Sequence, residues 1–478
     1  MNEITHVLPE ATLAALACVV LLVDVFKRSA QSTATFWAAL VAGLATLGVV
    51  TLHYPEATTL AFNGTYVADP MGAVLKAFAL ALIVVSFLYA RDYFGRKQRT
   101  ASEFFILALF AGLGMMVLVS SHSLLTLYLG LELLSLSLYA MVAMERDSGT
   151  AAEAAMKYFV LGALASGLLL YGISMLYGVG GTLDLGELAQ RASRDANPTL
   201  FAFGIVFVLI GVTFKLGVAP FHMWVPDVYQ GAATPVTLFI STAPKLAAFA
   251  MAVRLLGQGL PAMSDAWVAM LALLAVVSMG LGNVVAIAQS NLKRMLAYST
   301  VAHMGFLLLG VVAATAAGFA ASMFYVIVYA VMSMAAFGAI ILLSGKDGEA
   351  DELADFSGLA TRRPWLAFLV LVIMFSLAGV PPFAGFWAKW FVLKEVIASG
   401  HVGLAAIAVL FSLVGAFYYL RVVKLMYFDA GSGASGQDRR DSQVGFVFTM
   451  NGLIVVALGL LPGALMSVCL TAVLASVG

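Results

Sequence analysis

Fourteen apolar stretches, most of them about twenty residues or longer, divide this chain and leave few folds open to it. They run roughly over 8–26, 34–52, 71–90, 102–120, 123–143, 152–178 and 199–218, then 234–256, 265–288, 294–314, 317–343, 364–399, 402–428 and 444–474. Inside hydrocarbon a backbone has to satisfy its own hydrogen bonds, so runs of this kind become helices. With 62% hydrophobic and only 10% charged residues among 478, and a mean hydropathy of +1.01, no soluble class fits. The sequence predicts an all-α polytopic membrane protein with about fourteen transmembrane helices. The first run is preceded by MNEITHVLPE, which lacks a basic n-region, and followed by Lys27 and Arg28 rather than a cleavage site, so it is expected to stay as a helix. Cys18 and Cys469 sit alone at opposite ends and form neither a metal cluster nor a disulfide pattern.

Formal charge is zero, with 25 basic and 25 acidic residues, so information lies in placement. If the N-terminus faces outward, inner loops carry fourteen basic residues, Arg91, Arg96, Lys97, Arg146, Lys293 and Arg294 among them, against Arg191, Arg194 and Arg254 outside. The positive-inside rule then puts both termini outside, in the periplasm of a bacterium. Two polar segments lie on the inner side. DAGSGASGQDRRDS, Asp429 to Ser442, is a flexible linker by composition. Lys346 to Pro364 mixes acids with Leu353, Phe356 and Leu359, and reads equally as a short surface or partner-bound helix or as a solvated loop.

Two spans are broken. Gly211 to Gly231 reads GVTFKLGVAPFHMWVPDVYQG, a lysine followed by two prolines, and Ala378 to Trp390 reads AGVPPFAGFWAKW. Gly217 to Phe221 and Gly379 to Phe383 share the frame GVxPF, 162 residues apart, and Ser123-Leu124 and Asn291-Leu292 precede similar helices 168 apart. Matching interruptions in two five-helix units predict an internal repeat, and units with an odd helix count have to lie in opposite orientations. The expected organisation is a three-helix segment over 1–100, a first repeat over 101–258, an inverted second repeat over 259–430, and a linker with a C-terminal helix over 431–478.

Charges deep in spans mark the candidate site. Glu132 is the one acidic residue near the middle of a span; Lys215, Lys245 and Lys389 are the mid-span cations, and His303 is the one deep histidine. A central charge costs a few kcal/mol even after relaxation, so these groups face partners or water inside the bundle. Lysine suits reversible proton carriage, because a buried lysine can lose its proton while arginine stays charged. An opposite charge about 4 Å away is worth about 4 kcal/mol at an effective dielectric of about 20, so the approach or withdrawal of Glu132 would act on Lys215 as a switch. Lys76, Lys157, Lys394, Arg421 and Lys424 lie nearer helix ends, where snorkelling to the headgroups suffices, although Lys157 follows Glu153 by one turn and can pair with it. His222 is placed to bond the carbonyls freed at Pro220, and His122 is expected in a solvated outer turn.

At these residues the chain resembles the antiporter-like subunits of respiratory complex I, the NADH:quinone oxidoreductase, and of related multi-subunit Na+/H+ antiporters. The Glu132 helix, KLGVAPFHMWVPDVYQGAATPV, PKLAA, SNLKRMLAYSTVAHMGF, GLATRRP and GVPPFAGFWAKW carry the likeness, which extends over essentially the whole chain. Lysine at 389 and an end after fourteen helices are similar to the N-type members rather than to the M or L types. The resemblance implies one proton channel of a membrane arm in a bacterial inner membrane, driven by quinone reduction elsewhere. Glu132 and Lys215 would be the input pair, Lys245 the central relay, His303 part of the connection and Lys389 the terminal donor. It also implies other membrane-arm subunits, including antiporter-like ones, as partners. NADH, FMN, iron–sulfur clusters and quinone would belong to partner subunits, with no cofactor or metal on this chain, and no nucleic acid is implied. Two rivals stand beside this reading. One is a subunit of a stand-alone cation/proton antiporter, against which the single deep carboxylate counts because sodium prefers oxygen ligands. The other is a structural subunit whose buried charges merely lock helices together.

Overall fold

The computed structural model describes residues 3–26, 33–97, 101–193, 198–345, 348–430 and 442–477. Among them, thirteen helices are long and apolar enough to cross a membrane. They begin with α1 (Leu8–Phe26), α2 (Thr33–Leu52), α3 (Pro70–Arg96), α4 (Ser102–Val119), α5 (Leu124–Val142) and α6 (Gly149–Gly180). A short helix α7 (Leu185–Ala192) leads to α8 (Pro198–Leu216), which breaks and resumes as α9 (Trp224–Gly231). One span then joins α10 (Thr234–Ile240), α11 (Ala243–Ala252) and a π-helical end at Val253–Gly259. After it come α12 (Ser264–Ile287), α13 (Leu292–Val312) and α14 (Ala316–Leu343), then the one-turn α15 (Leu359–Arg362). The predicted run 364–399 is a fourteenth crossing made of two halves, α16 (Pro364–Ala378) and α17 (Ala384–Ala398). The chain ends with α18 (Val402–Phe428), α19 (Ser442–Leu460) and α20 (Pro462–Val477), so the predicted last span is itself divided, at Leu461. A hairpin of β1 (Thr59–Ala61) and β2 (Tyr66–Ala68), absent from the sequence reading, closes the loop between α2 and α3.

Helices α10, α11, α13 and α14 lie almost wholly inside the bundle, while α1, α6, α12, α18 and α19 carry its outer surface. Small residues permit the closest approaches. A Cβ at Gly114 would lie 2.5 Å from Leu134 N across α4 and α5, and one at Gly282 would lie 2.6 Å from Ala302 N across α12 and α13.

The two units carry the same bonds at their corresponding ends. Leu124 N donates to Leu183 O (2.8 Å) and Leu185 N to His122 O (3.1 Å); 168 residues on, Leu292 N donates to Asp351 O (2.5 Å) and Leu353 N to Ser290 O (3.0 Å). The breaks match as well. Gly217 (φ +82) and Gly379 (φ +87) end α8 and α16 in the left-handed conformation that glycine adopts without steric cost. Their N–H groups return to Thr213 O and Phe375 O, as do those of Val218 and Val380. Ala219–Pro220 and Pro381–Pro382 are both cis.

Four placements differ from the sequence reading. Arg254, expected at an outer helix end, is wholly buried, with both terminal nitrogens 2.7 Å from the Asp69 carboxylate and Nε donating to Val119 O. Lys76 does not snorkel: it is buried against Glu10 (2.5 Å) and Tyr66 OH (3.0 Å), because β2 and α1 deliver polar partners to it. His122 is half-buried, 3.9 Å from Asp184, and its Nδ1 is buried without a hydrogen-bond partner. The segment after α14 is not a solvated loop: it forms short helical turns at Leu353–Phe356 and Leu359–Arg362, with Leu353, Phe356 and Leu359 buried against the rest of the chain. Glu349 folds inward to Lys293 (2.7 Å), the Tyr93 hydroxyl and Thr234 N (3.1 Å). Burial alone would raise the Glu349 carboxyl, but the Lys293 charge, with hydrogen bonds from Lys293, Tyr93 and Thr234, outweighs it and lowers the group to about 2. Lys394 and Lys424 are exposed, as snorkelling requires, whereas Arg421 caps α12 through Ile287 O (2.9 Å) and Gln289 O (2.5 Å). Lys27, Arg28, Arg99, Arg194, Lys346, Arg439, Arg440 and most of the 429–442 linker lie outside the described residues.

Candidate functional site

The first cluster forms where α8 ends. The last carbonyls of a helix have no intrahelical donor and carry its negative dipole end, so they form a natural seat for a cation. Lys245, arriving from α11, occupies it: Nζ donates to Leu216 O (2.7 Å) and Lys215 O (3.3 Å). Trp224 closes the seat, its indole N–H bonded to Phe214 O (2.9 Å) and its ring 5.2 Å from the Lys245 ammonium. These two residues, not His222, take the freed carbonyls. His222 is half-buried beside Tyr298, and its Nδ1 is buried without a hydrogen-bond partner.

Lys215, in the last turn of α8, points to α5 instead. Its Nζ donates to Ser135 Oγ (2.7 Å) and lies 5.6 Å from the centre of the Tyr139 ring. The Ser135 hydroxyl donates in turn to Leu131 O (2.5 Å). Glu132, one turn earlier on α5, accepts from Ser166 Oγ of α6 and makes no ion pair with Lys215 within 4.0 Å. The structure thus brings the two charges to the same helix junction and bonds each of them to a serine hydroxyl instead of to the other. A cavity of ≈ 10 Å³, room for a single water, is lined by Ser135, Tyr158, Lys215, Trp224 and Lys245.

The second cluster forms where α16 ends. Lys389 Nζ donates to Ala378 O (2.8 Å) and Ser412 Oγ (2.9 Å), and lies 5.0 Å from the Phe306 ring centre. His303 of α13 has a tyrosine hydroxyl at each ring nitrogen, Tyr325 at 2.7 Å and Tyr419 at 3.0 Å, and Tyr419 is bonded in turn to Ser299 (2.5 Å). A second cavity of ≈ 10 Å³ is shared by His303, Lys389, Tyr418 and Tyr419.

Between the clusters runs a file of hydroxyls that the sequence reading missed. Ser241, one turn before Lys245, accepts from Ser333 (3.0 Å) of α14. Tyr329, one turn before Ser333, donates to Thr300 (2.7 Å), one turn before His303 on α13. Hydrogen-bonded pairs therefore alternate with single helical turns, steps of about 5–6 Å, from Ser241 to His303, while the break between α10 and α11 at Thr242 lies between Ser241 and Lys245. No sequence signal marks these residues, since serine, threonine and tyrosine recur throughout apolar spans without cost. Lys157 lies outside both clusters, paired with Glu153 and with Asp227, each at 2.8 Å, while Arg294 holds the other Asp227 oxygen at 2.8 Å.

Known proteins resemble this chain in sequence and fold. Residues 121–415 match the family described as NADH:quinone oxidoreductase/Mrp antiporter, TM. The chain is 52% identical to NADH-quinone oxidoreductase subunit N of Thiobacillus denitrificans, over 99% of this chain and 98% of that one. Among solved structures, a chain of respiratory complex I from Thermus thermophilus with bound aureothin superposes with a TM-score of 0.81 at 34% identity, over 96% of this chain and 98% of that one. A chain of the Mrp complex from Dietzia sp. DQ12-45-1b, at 22% identity and a TM-score of 0.82 over 99% and 97% of the two chains, shares the fold. The chain belongs to the NADH:quinone oxidoreductase/Mrp antiporter transmembrane family and, within it, to the N-subunit group of NADH-quinone oxidoreductase.

Proposed function

We propose that this chain moves protons across the bilayer as one antiporter-like channel in the membrane arm of NADH:quinone oxidoreductase, driven by quinone reduction elsewhere in the complex. The observation that carries the proposal is the pair of ammonium groups seated on half-helix carbonyls and joined by the hydroxyl file. Glu132 and Lys215 form the input, Lys245 the central relay, His303 the connection and Lys389 the terminal donor. A proton reaching a hydroxyl oxygen is matched by the departure of that group's own proton on its far side, so each hydroxyl ends as it began with its bond reversed. Lysine serves at both ends of the file because it can give up its proton, whereas a guanidinium cannot. Glu132 sets the state of Lys215 by approaching or leaving it, and in this structure Ser166 holds the one and Ser135 the other.

The matched bonds 168 and 162 residues apart support two five-helix units related by inversion, with both termini on the periplasmic side. NADH, flavin, iron–sulfur and quinone chemistry is assigned to partner subunits. Other antiporter-like subunits of the membrane arm are the expected neighbours.

The test is proton pumping by assembled complex carrying Lys215→Arg, Lys215→Ala or Glu132→Ala, compared at matched assembly. All three lose pumping on this reading, and the arginine variant decides the matter, since it keeps the charge. Normal pumping by assembled Lys215→Arg complex would remove Lys215 from the relay. Failure of the alanine variants alone, through lost assembly, would favour a scaffold.

A further inference from the structure

The C-terminal helices lie beyond the family match and carry no group of the relay, yet they hold both elements that carry its second half. Pro462 lacks an N–H and the chain leaves helical geometry at Leu461, so the last carbonyls of α19 lose their donors. One of them, Gly459 O, accepts from the indole N–H of Trp387 (2.9 Å), two residues before Lys389 on α17. Gly459 itself lies directly on the second break. A Cβ there would meet backbone on three sides, 2.8 Å from Pro382 O and 2.9 Å from both Ala384 N and Phe383 Cα. A contact this close to main chain cannot be relieved by rotating a side chain. Two turns earlier on α19, the Asn451 amide lies against α14 with its two terminal atoms 3.2 Å from Val331 O and 3.1 Å from Ala335 N, and the assignment of nitrogen to the first and oxygen to the second satisfies both groups. Those two groups belong to one turn of the helix that also carries Tyr325, Tyr329 and Ser333. At the first break the holding contact is made by α12 instead, where Ser278 accepts from Ala219 N (2.7 Å).

We infer that α19 is a positioning element for the second half of the relay, which rests on the proton-channel reading above. Gly459 and Trp387 fix the break so that the Ala378 carbonyl stays under the Lys389 ammonium, and Asn451 fixes α14 so that its hydroxyls stay in file. Gly459, Trp387 and Asn451 act through Lys389 and the hydroxyls and exchange no proton themselves. A displacement of the order of 1 Å at the seat is enough to cost a large factor in transfer.

The experiment uses the assembled complex in membrane vesicles, with NADH oxidation and proton pumping measured together across pH. Gly459→Ala pushes against the break; Trp387→Phe keeps a ring and removes only the N–H; Gly463→Ala is the control, because nothing lies within 4 Å of a Cβ at that position. At matched assembly and matched NADH oxidation, Gly459→Ala and Trp387→Phe are expected to lower pumping by about threefold or more and to displace its pH profile, with Gly463→Ala unchanged. A merely structural role would lower the amount of complex and leave the pH profile of what remains in place, and that result overturns the inference. If Gly459→Ala does not assemble, Trp387→Phe decides alone. Lys389→Met in the same series separates the two readings. If it pumps normally, the relay reading falls and takes this one with it. If it fails while Gly459→Ala and Trp387→Phe pump normally, the relay stands and the positioning role falls.

Discussion

The two ammonium seats share a backbone but draw their lysines from different places. Leu216 O and Ala378 O, 162 residues apart, each receive one lysine, at 2.7 and 2.8 Å. The first is filled by Lys245, from a helix three elements further on, and the second by Lys389, from the half-helix immediately after its own break. The neighbours diverge too. Ser135, which holds Lys215, stands 168 residues before His303, and Thr300 occupies the place that matches Glu132. What the two units share is therefore the cation site made by a terminated helix, and what distinguishes them is the group set to load or unload it: a carboxylate in the first, an imidazole in the second. The sharpest break of this comparison is removal of each lysine in turn. Lys245→Met and Lys389→Met are expected to abolish pumping to background at matched assembly, since each leaves a seat with no proton carrier. Equal losses would make the seats equivalent stations; retained pumping in one variant would assign the channel to the other half alone.

That equivalence was only partly visible in the sequence. Spans were legible because an apolar run of span length has one fate in a bilayer, and breaks were legible because Gly217 and Gly379 precede proline. All five candidate residues fall into the two clusters or at their edges for the same reason, as a deep charge has few alternatives. Pairing was not legible. Asp69 and Arg254 lie 185 residues apart, and Arg254 reads as a helix-end cation until α3 is seen beside it. Glu132 was expected to act on Lys215 by approaching or leaving it, and the serines that hold the two, Ser166 and Ser135, were not foreseen, since nothing in the sequence distinguishes them from serines that only bond their own helix. The hydroxyl file escaped for the same reason. Its geometry depends on the mutual rotation of α10, α13 and α14, which hydropathy does not encode.

Two of the buried ion pairs extend the comparison to stability. Asp69–Arg254 ties the start of α3 to the end of the first unit's last span, while Lys293–Glu349 ties the start of α13 to the segment after α14. Breaking a fully buried pair by removing one partner costs about 3–5 kcal/mol, because the other charge is left without compensation. Arg254→Met is therefore expected to lower the thermal stability or yield of assembled complex sharply, and Asp69→Asn added to it is expected to restore part of the loss. Failure of the second substitution to help would show that the bond to Val119 O, not the ion pair, is what matters.

Lys293–Glu349 is less deeply enclosed and should show a smaller effect with a defined pH window. Burial opposes ionisation of Glu349, and Lys293 with the hydrogen bonds around it more than offsets this, so the folded value of about 2 lies below the ordinary 4.5. A depressed carboxyl contributes its full stabilisation above about pH 4.5 and loses it as pH falls towards 2, and the shift corresponds to something on the order of 3 kcal/mol. Protection of the segment from Gly348 to Arg363 against hydrogen exchange, taken relative to the intrinsic exchange rate at each pH, is expected to hold level from pH 7 to 4.5 and to fall below. Glu349→Gln should raise exchange at neutral pH and flatten that window. An unchanged exchange rate in the variant at pH 7 would detach this segment from the ion pair.

The smallest effect tests whether the two halves communicate through the hydroxyls at all. Tyr329→Phe removes one oxygen from the file and leaves both lysine seats and His303 intact. A file that carries protons loses its hydrogen-bonded step at Thr300 and has to bridge the gap by transient water, for which the expected cost is about tenfold in pumping rate, or about 1.4 kcal/mol. Tyr89→Phe is the matched control, because its buried hydroxyl lies on α3, off the file and outside both cavities. The two tyrosines share burial and size, so a difference in pumping between their phenylalanine variants isolates the role of the oxygen. Equal and undiminished pumping would mean that the first and second clusters are coupled by their charges rather than by a proton passing between them, and the resemblance of their seats would then reflect common backbone geometry alone.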